Sequence, residues 1–173
     1  MSTATTVDVI RFYRSSEKPY GVFSNLYRRP MEFEGLTFST AEAAYQSGKP
    51  RKPEVRDWLL AAPSPSLLAM AAHGLFSWDI APGWSKGRRD RMRRVVGEKF
   101  RQHPDLAEIL LSTGEAQLVE TATVDNAVNR RWGEVNGKGT NWLGEILMDV
   151  RRQLVETSPK PTPAPSPTEA PDA

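Results

Sequence analysis

Apolar positions along the chain recur at two spacings, and the switches between them predict the order of its elements. Near the start, "TTVDVIRFY" is rich in β-formers with partial alternation, which predicts a strand from about Val7 to Tyr13, broken by "SEKPYG". In "PMEFEGLTF", Met31 and Phe33 alternate, then Leu36 and Phe38 follow across a Glu-Gly turn, as in a short hairpin. The period then lengthens. Ser39 and Thr40 offer caps for a helix that ends at Pro50. From Pro53 to Leu75 two short helical patterns are split by "PSP" and closed by Gly74 as a C-cap.

The strongest helical pattern runs from about Lys86 to Gln102, where Met92, Val95, Val96, Lys99 and Phe100 share one face before Pro104. "PDLAEILLSTG" has proline at its start and glycine at its end, the usual asymmetry of a helix. "AQLVETATV" predicts a strand, and "DNAVNRRWGEVNGKGTN" an irregular glycine-containing loop. A last helix from Asn141 is expected to bury Leu143, Ile146, Leu147, Val150 and Leu154. Helices dominate, strands are few and dispersed, and no internal repeat is visible.

The chain has 173 residues, enough for one domain with a real core. Apolar residues make up 39%, a low share explained in part by "SPKPTPAPSPTEAPDA", which has no large aliphatic or aromatic side chain. Such a segment buries too little surface to offset its ordering entropy, so residues 158–173 are expected to be a disordered tail, residues 1–9 a lead-in, and 10–157 the folded domain. The absence of cysteine excludes disulfides, thiolate nucleophiles and cysteine-based zinc sites. His73 and His103 stand in no metal-ligand spacing, and neither a metal nor another cofactor is expected. No apolar run reaches membrane-spanning length and no signal peptide is visible, so the expected location is cytoplasmic. A net charge of +2 says little about partners.

Local chemistry concentrates in "TAEAAYQSGK". In a helix, Glu42, Tyr45, Gln46 and Lys49 fall at i, i+3, i+4 and i+7, along one face. On spacing alone, Ser39-Thr40-Ala41-Glu42 fits a capping box, with Glu42 bonding back to Ser39, and Lys49 complements the helix dipole. Neither role explains Tyr45 and Gln46 between them. "NGKGTN" has free backbone amides that could meet a phosphate, although a tight turn with an Asn cap accounts for it equally well. "KGRRDRMRR" carries six basic residues and one acid, either a solvated helix face or a nucleic-acid patch. Trp78 and Trp84, just before it, suit base stacking, but core packing is the commoner fate of a tryptophan.

Taken together, "IRFYRSSEKPYGVFSNLY", "GLTFSTAEAAYQSGK", "WSKGRRDRMRRVVGEKF", "LLSTGEAQLVE" and "WGEVNGKGTNWLGEILMDVR" resemble, in order, the blocks of the YbiA-like or NADAR family of N-glycosidases. The resemblance implies a compact, mainly helical α+β domain. Its pocket would be built from the block with Ser24 and Asn25, from the Glu42 helix, and from the loop running from Trp132 and Gly133 to Gly139 and Asn141. It also turns Glu42 from a cap into a pocket carboxylate. Two departures stand out: Ala43 replaces a histidine common in the family, and the aspartate often found three residues before the WG pair is Asn129 here. Either the loop is longer and Asp125, further upstream, still reaches in, or the role passes to Asn129; Asp125 is the residue taken to fill it.

On this reading Glu42 stabilises positive charge at the ribosyl C1′ and deprotonates water. Lys49 holds a ribose hydroxyl or phosphate, or forms a Schiff base with an opened ribose. Tyr45, Gln46, Asn25 and Asn141 suit polar contacts, Trp84 and Trp132 stacking, and Arg88 a phosphate. The expected partner is ADP-ribosylated nucleic acid or an ADP-ribose-like small molecule, the reaction being removal of ADP-ribose from guanine. Alternatives are a phosphorylated intermediate of riboflavin synthesis as substrate, or a non-catalytic module that binds ADP-ribose or NAD derivatives.

Overall fold

The computed structural model describes residues 7–158. Most of the proline-rich tail and the first six residues of the lead-in therefore lie outside the described residues. The first strand, β1 (Val9–Phe12), is shorter than its pattern predicts and lies parallel to β4 (Gln117–Glu120), with Val9 opposite Gln117 and Phe12 opposite Glu120. The hairpin forms as expected from β2 (Arg28–Phe33) and β3 (Leu36–Thr40). Its two turn residues, Glu34 and Gly35, both have positive φ (50° and 79°), the geometry that matches a turn to strand twist and that favours glycine.

Seven α-helices are found among the described residues, and together with the two small sheets they make a mainly helical α+β fold. They are α1 (Ala41–Gln46), α2 (Pro53–Leu60), α3 (Pro65–His73), α4 (Trp84–Gln102), α5 (Pro104–Ser112), α6 (Ala127–Trp132) and α7 (Trp142–Thr157). Proline opens α2, α3 and α5, where its missing N–H costs nothing. The α4 face predicted from spacing is the buried one: Met92, Val95, Val96, Lys99 and Phe100. In α7, Leu143, Ile146, Leu147 and Val150 are buried, but Leu154 is only half-buried near the helix end.

Gly74 caps the C-terminus of α3 as expected, at φ −85°. Three local expectations need correction. The segment read as an irregular loop contains α6, capped by Asn126, whose Oδ1 accepts from the Asn129 amide at 2.8 Å. Six residues with few apolar positions give almost no periodic signal, which is why this helix was hidden. α1 ends at Gln46 rather than at Pro50, leaving Lys49 beyond it. Finally, Trp78 is 65% exposed and stacks on Phe76, with ring centroids 4.6 Å apart, instead of filling the core.

α4 and α7 pack together and form the spine, with β4 against α7 and α1 against α4. Phe12, Phe23 and Phe100 meet in the centre at centroid distances of 5.6 and 6.4 Å. Each such ring contributes about 1.5–3 kcal/mol by leaving water. Gly144 lets α7 approach β4, since a Cβ there would collide with the Leu118 carbonyl and the Asn141 side chain. This close packing sets the ends of α1, β4 and α6 around one cavity. No helix among the described residues is long and apolar enough to cross a membrane.

Candidate active site

The cavity is about 380 Å³ and is entered between α1, α3, α4, α6 and the end of β4. α1 is fixed at both ends. Thr40 Oγ1 accepts from the Ala43 amide at 3.1 Å, so Thr40 is the cap and Glu42 stands one position too early for a capping box. The Glu42 amide instead donates to the Asn25 carbonyl (3.0 Å), and its carboxylate turns into the cavity, where it accepts from Gln46 Nε2 at 2.8 Å. At the other end Arg91 donates to the carbonyls of Ala44 (2.8 Å) and Tyr45 (2.9 Å) and to Ser47 Oγ (3.0 Å). Gly48 is required beside this clamp, because a Cβ would strike the Arg91 guanidinium. Small residues in α1 thus allow close packing: Ala41, Ala43 and Ala44 are all buried.

Lys49 lines the cavity from the turn after α1 and donates to the Ala72 carbonyl at 2.5 Å. Burial and the nearby Arg88 charge lower its pKa, while Glu42 partly opposes them. Glu42 itself is raised by burial, with the Gln46 bond and the Lys49 charge pulling the other way. His73, on α3, is kept toward its neutral form by burial and by Lys49.

Ser24 and Asn25 reach the cavity from the turn after a 3₁₀ segment, Tyr20–Phe23. Lys99, only 2% exposed, props this turn by donating to the carbonyls of Val22 (2.5 Å) and Ser24 (3.0 Å). Asn25 Oδ1 and Gln46 Oε1 are buried with no hydrogen-bond partner among the described residues. Buried acceptors without donors are costly, and here both belong to side chains that line a cavity, where ligand hydroxyl or amino groups can satisfy them. Tyr45 is a link in an aromatic arc: its ring lies 5.0 Å from Trp84 and 5.5 Å from Trp132, and Trp132 lies 5.4 Å from Trp142. Trp84, Arg88 and Trp132 all line the cavity.

Several expected site residues sit elsewhere. Asp125 is exposed, outside the cavity lining, and bonded to Arg130 (Oδ1–Nε 2.5 Å, Oδ2–Nη2 2.6 Å), which holds its carboxyl below the ordinary range. The start of α6 just after its cap, Asn126, leaves Asp125 outside and brings Asn129 to the cavity as a lining residue. Gly133, Gly139 and Asn141 stand behind the site rather than in it. A Cβ at Gly133 would meet the Glu120 carbonyl, and one at Gly139 the Gly133 carbonyl. Asn141 Oδ1 accepts from the Glu120 amide (3.1 Å) and its Nδ2 donates to the Leu118 carbonyl (2.8 Å), so its side chain holds β4. The amides of Lys138, Thr140 and Asn141 donate within the loop, to Val135, Arg130 and Gly133, and are not open to a phosphate.

The residue these props serve was missed from sequence. Glu120 ends β4 and lines the cavity, and its carboxyl has no hydrogen-bond partner among the described residues. Burial first, then the Glu42 charge, pushes its pKa up to about 8. An acid closing the apolar run Leu118-Val119 was the available signal. The basic run is mostly paired with acids of the same chain: Arg89 pairs with Glu145, Arg91 and Arg94 hold Glu34 at 3.1 and 3.0 Å, and Arg93 lies 3.8 Å from Asp90. Among the described residues no group of three or more His, Asp or Glu side chains is placed to hold a metal ion.

Two carboxyls with different surroundings, unpartnered amide oxygens and an aromatic arc suit a polar, ring-containing ligand and acid–base chemistry on it. Comparison with known proteins agrees. The profile of the NADAR domain matches residues 11–155. The N-glycosidase YbiA of Shigella flexneri is 35% identical over 147 residues, 84% of this chain and 88% of that protein. A riboflavin biosynthesis protein of Vibrio vulnificus is 32% identical over 151 residues, 87% of this chain but 40% of that longer protein. The NMR structure of the Escherichia coli protein YbiA superposes with a TM-score of 0.76 at 33% identity, covering 86% of each chain.

Proposed function

The chain belongs to the NADAR domain family, and on that premise we propose that it is an N-glycosidase that hydrolyses the N-glycosidic bond of a nucleotide-type substrate. The observation that carries this reading is the pair of cavity carboxyls in unlike surroundings. Burial raises the pKa of both, but at Glu42 the Gln46 bond and the Lys49 charge oppose it, whereas among the described residues Glu120 has neither a cation nor a donor to do so. On this reading Glu42 serves as the carboxylate and Glu120 as the acid, and cleavage uses both. As the C1′–N bond breaks, positive charge grows on C1′ and the ring oxygen, facing the Glu42 carboxylate. The departing base nitrogen takes the Glu120 proton. Water adds to C1′ and gives its own proton to Glu42, so bonds and protons balance. Asn25 Oδ1 and Gln46 Oε1 accept from sugar hydroxyls, and Trp84 and Trp132 offer ring faces to a base.

The substrate we favour is ADP-ribose attached to guanine in nucleic acid. Removal of the ADP-ribosyl group would restore the base. The name of the Vibrio vulnificus relative supports a second substrate, a phosphorylated riboflavin-pathway intermediate. Incubation of the purified chain with ADP-ribosyl-guanine DNA and with that intermediate, reading released ADP-ribose or ribose phosphate, decides between them. Glu42→Gln should abolish hydrolysis of whichever is cleaved and leave ligand binding in place. Full activity in Glu42→Gln would remove Glu42 from the mechanism, and binding of ADP-ribose without turnover of either substrate would make the chain a binding module.

A further inference from the structure

Three cations, Lys49, Arg88 and Arg131, line the cavity against two carboxyls, Glu42 and Glu120. Lys49 is engaged by the Ala72 carbonyl. Arg88 and Arg131 are different, because no carboxylate meets either guanidinium among the described residues. Their neighbours are all paired: Arg89 with Glu145, Arg91 and Arg94 with Glu34, and Arg130 with Asp125. Arg88 Nε is buried without a partner, as is Nε of Arg89, whose terminal nitrogen pairs with Glu145. Three guanidiniums lie against the ring of Trp142, Arg89 at 5.2 Å from the centroid and Arg88 and Arg131 each at 5.9 Å, so one indole braces cations arriving from two helices, α4 and α6, of which Arg88 and Arg131 have no carboxylate partner among the described residues.

Two like charges held close in a half-buried wall repel one another, and the strain shows in Arg131, whose pKa is lowered by burial and by Arg88. Such a pair is costly unless an anion joins it, and planar guanidiniums match phosphate oxygens in a forked geometry. We propose that Arg88 and Arg131, braced by Trp142, form the seat for a phosphate ester or pyrophosphate of the substrate, which fixes its sugar beside Glu42 and Glu120. This rests on the N-glycosidase reading for what the sugar does next, but not for the anion itself.

The test is titration calorimetry on the full chain with ribose 5-phosphate against ribose, and with inorganic pyrophosphate and ADP-ribose as further probes. Wild type should prefer ribose 5-phosphate to ribose, with a preference that weakens as salt is raised. Arg131→Gln and Arg88→Gln should each reduce it by about tenfold, the scale of one lost charge-assisted contact. Arg131→Lys should recover part of the loss, and Arg152→Gln, at an exposed arginine paired with Asp149, should leave it at the wild-type value. Tighter pyrophosphate than phosphate-ester binding would identify a diphosphate seat, and the reverse a monoester seat. Equal binding of ribose and ribose 5-phosphate by wild type overturns the proposal, as does an undiminished preference in Arg131→Gln with a wild-type melting curve. A chain that keeps the preference but cleaves nothing would defeat the N-glycosidase reading alone, while one that cleaves without the preference would defeat the seat alone.

Discussion

Replacing Glu120 by glutamine keeps the size and polarity of the side chain and removes only its transferable proton. With its pKa pushed up to about 8, Glu120 is about nine-tenths protonated at pH 7, whereas a carboxyl at the ordinary 4.5 would be protonated in about one molecule in 300. Burial and the Glu42 charge thus supply some 300-fold more of the acid form at neutral pH, roughly the range that general acid catalysis contributes. Glu120→Gln should lower kcat by about 10²–10⁴-fold with little change in KM. The assay is the pH profile of base release. Wild-type activity should fall as pH rises through about 8, and that limb should vanish in Glu120→Gln. A substrate whose leaving group needs no protonation should be spared most of the loss. In any residual activity of Glu42→Gln the limb should move to lower pH, because the charge that helps keep Glu120 protonated is gone. Equal kcat values, with the limb still near pH 8, would refute the assignment.

Three further outcomes test the supports of the site. Lys99 is displaced by burial from its ordinary 10.5 to about 7, so between those values the unfolded chain binds the extra proton and stability rises with pH. Urea unfolding of wild type against Lys99→Met should show the wild type gaining up to about 1.4 kcal/mol per pH unit over that window and nothing below it, and a flat difference would contradict a buried neutral amine. Arg91→Ala should cost about 2–4 kcal/mol, since it frees the carbonyls of Ala44 and Tyr45 and leaves Glu34 with Arg94 alone. Gly48→Ala should be destabilising alone but nearly neutral in the Arg91→Ala background, where its clash partner is gone; additive losses in the cycle would refute the clamp.

The sequence by itself determined where local signals are strong. Helical spacing from Met92 to Phe100 marked the buried face of α4, the Glu-Gly pair marked the hairpin turn, and proline placed the starts of three helices. The polar stripe of Glu42, Tyr45 and Gln46 was likewise legible, because residues three and four apart share a face in any helix. Tertiary structure alone decided the rest. Nothing local tells β1 to pair with β4 across most of the chain, or Asn129 to face the cavity while Asp125 faces solvent. Nor does composition separate Arg88 from Arg89, Arg91 and Arg94, which share a helix but not a role. A side chain's charge is written in its identity, but its partners and its burial, which set what that charge can do, exist only once distant segments have packed together.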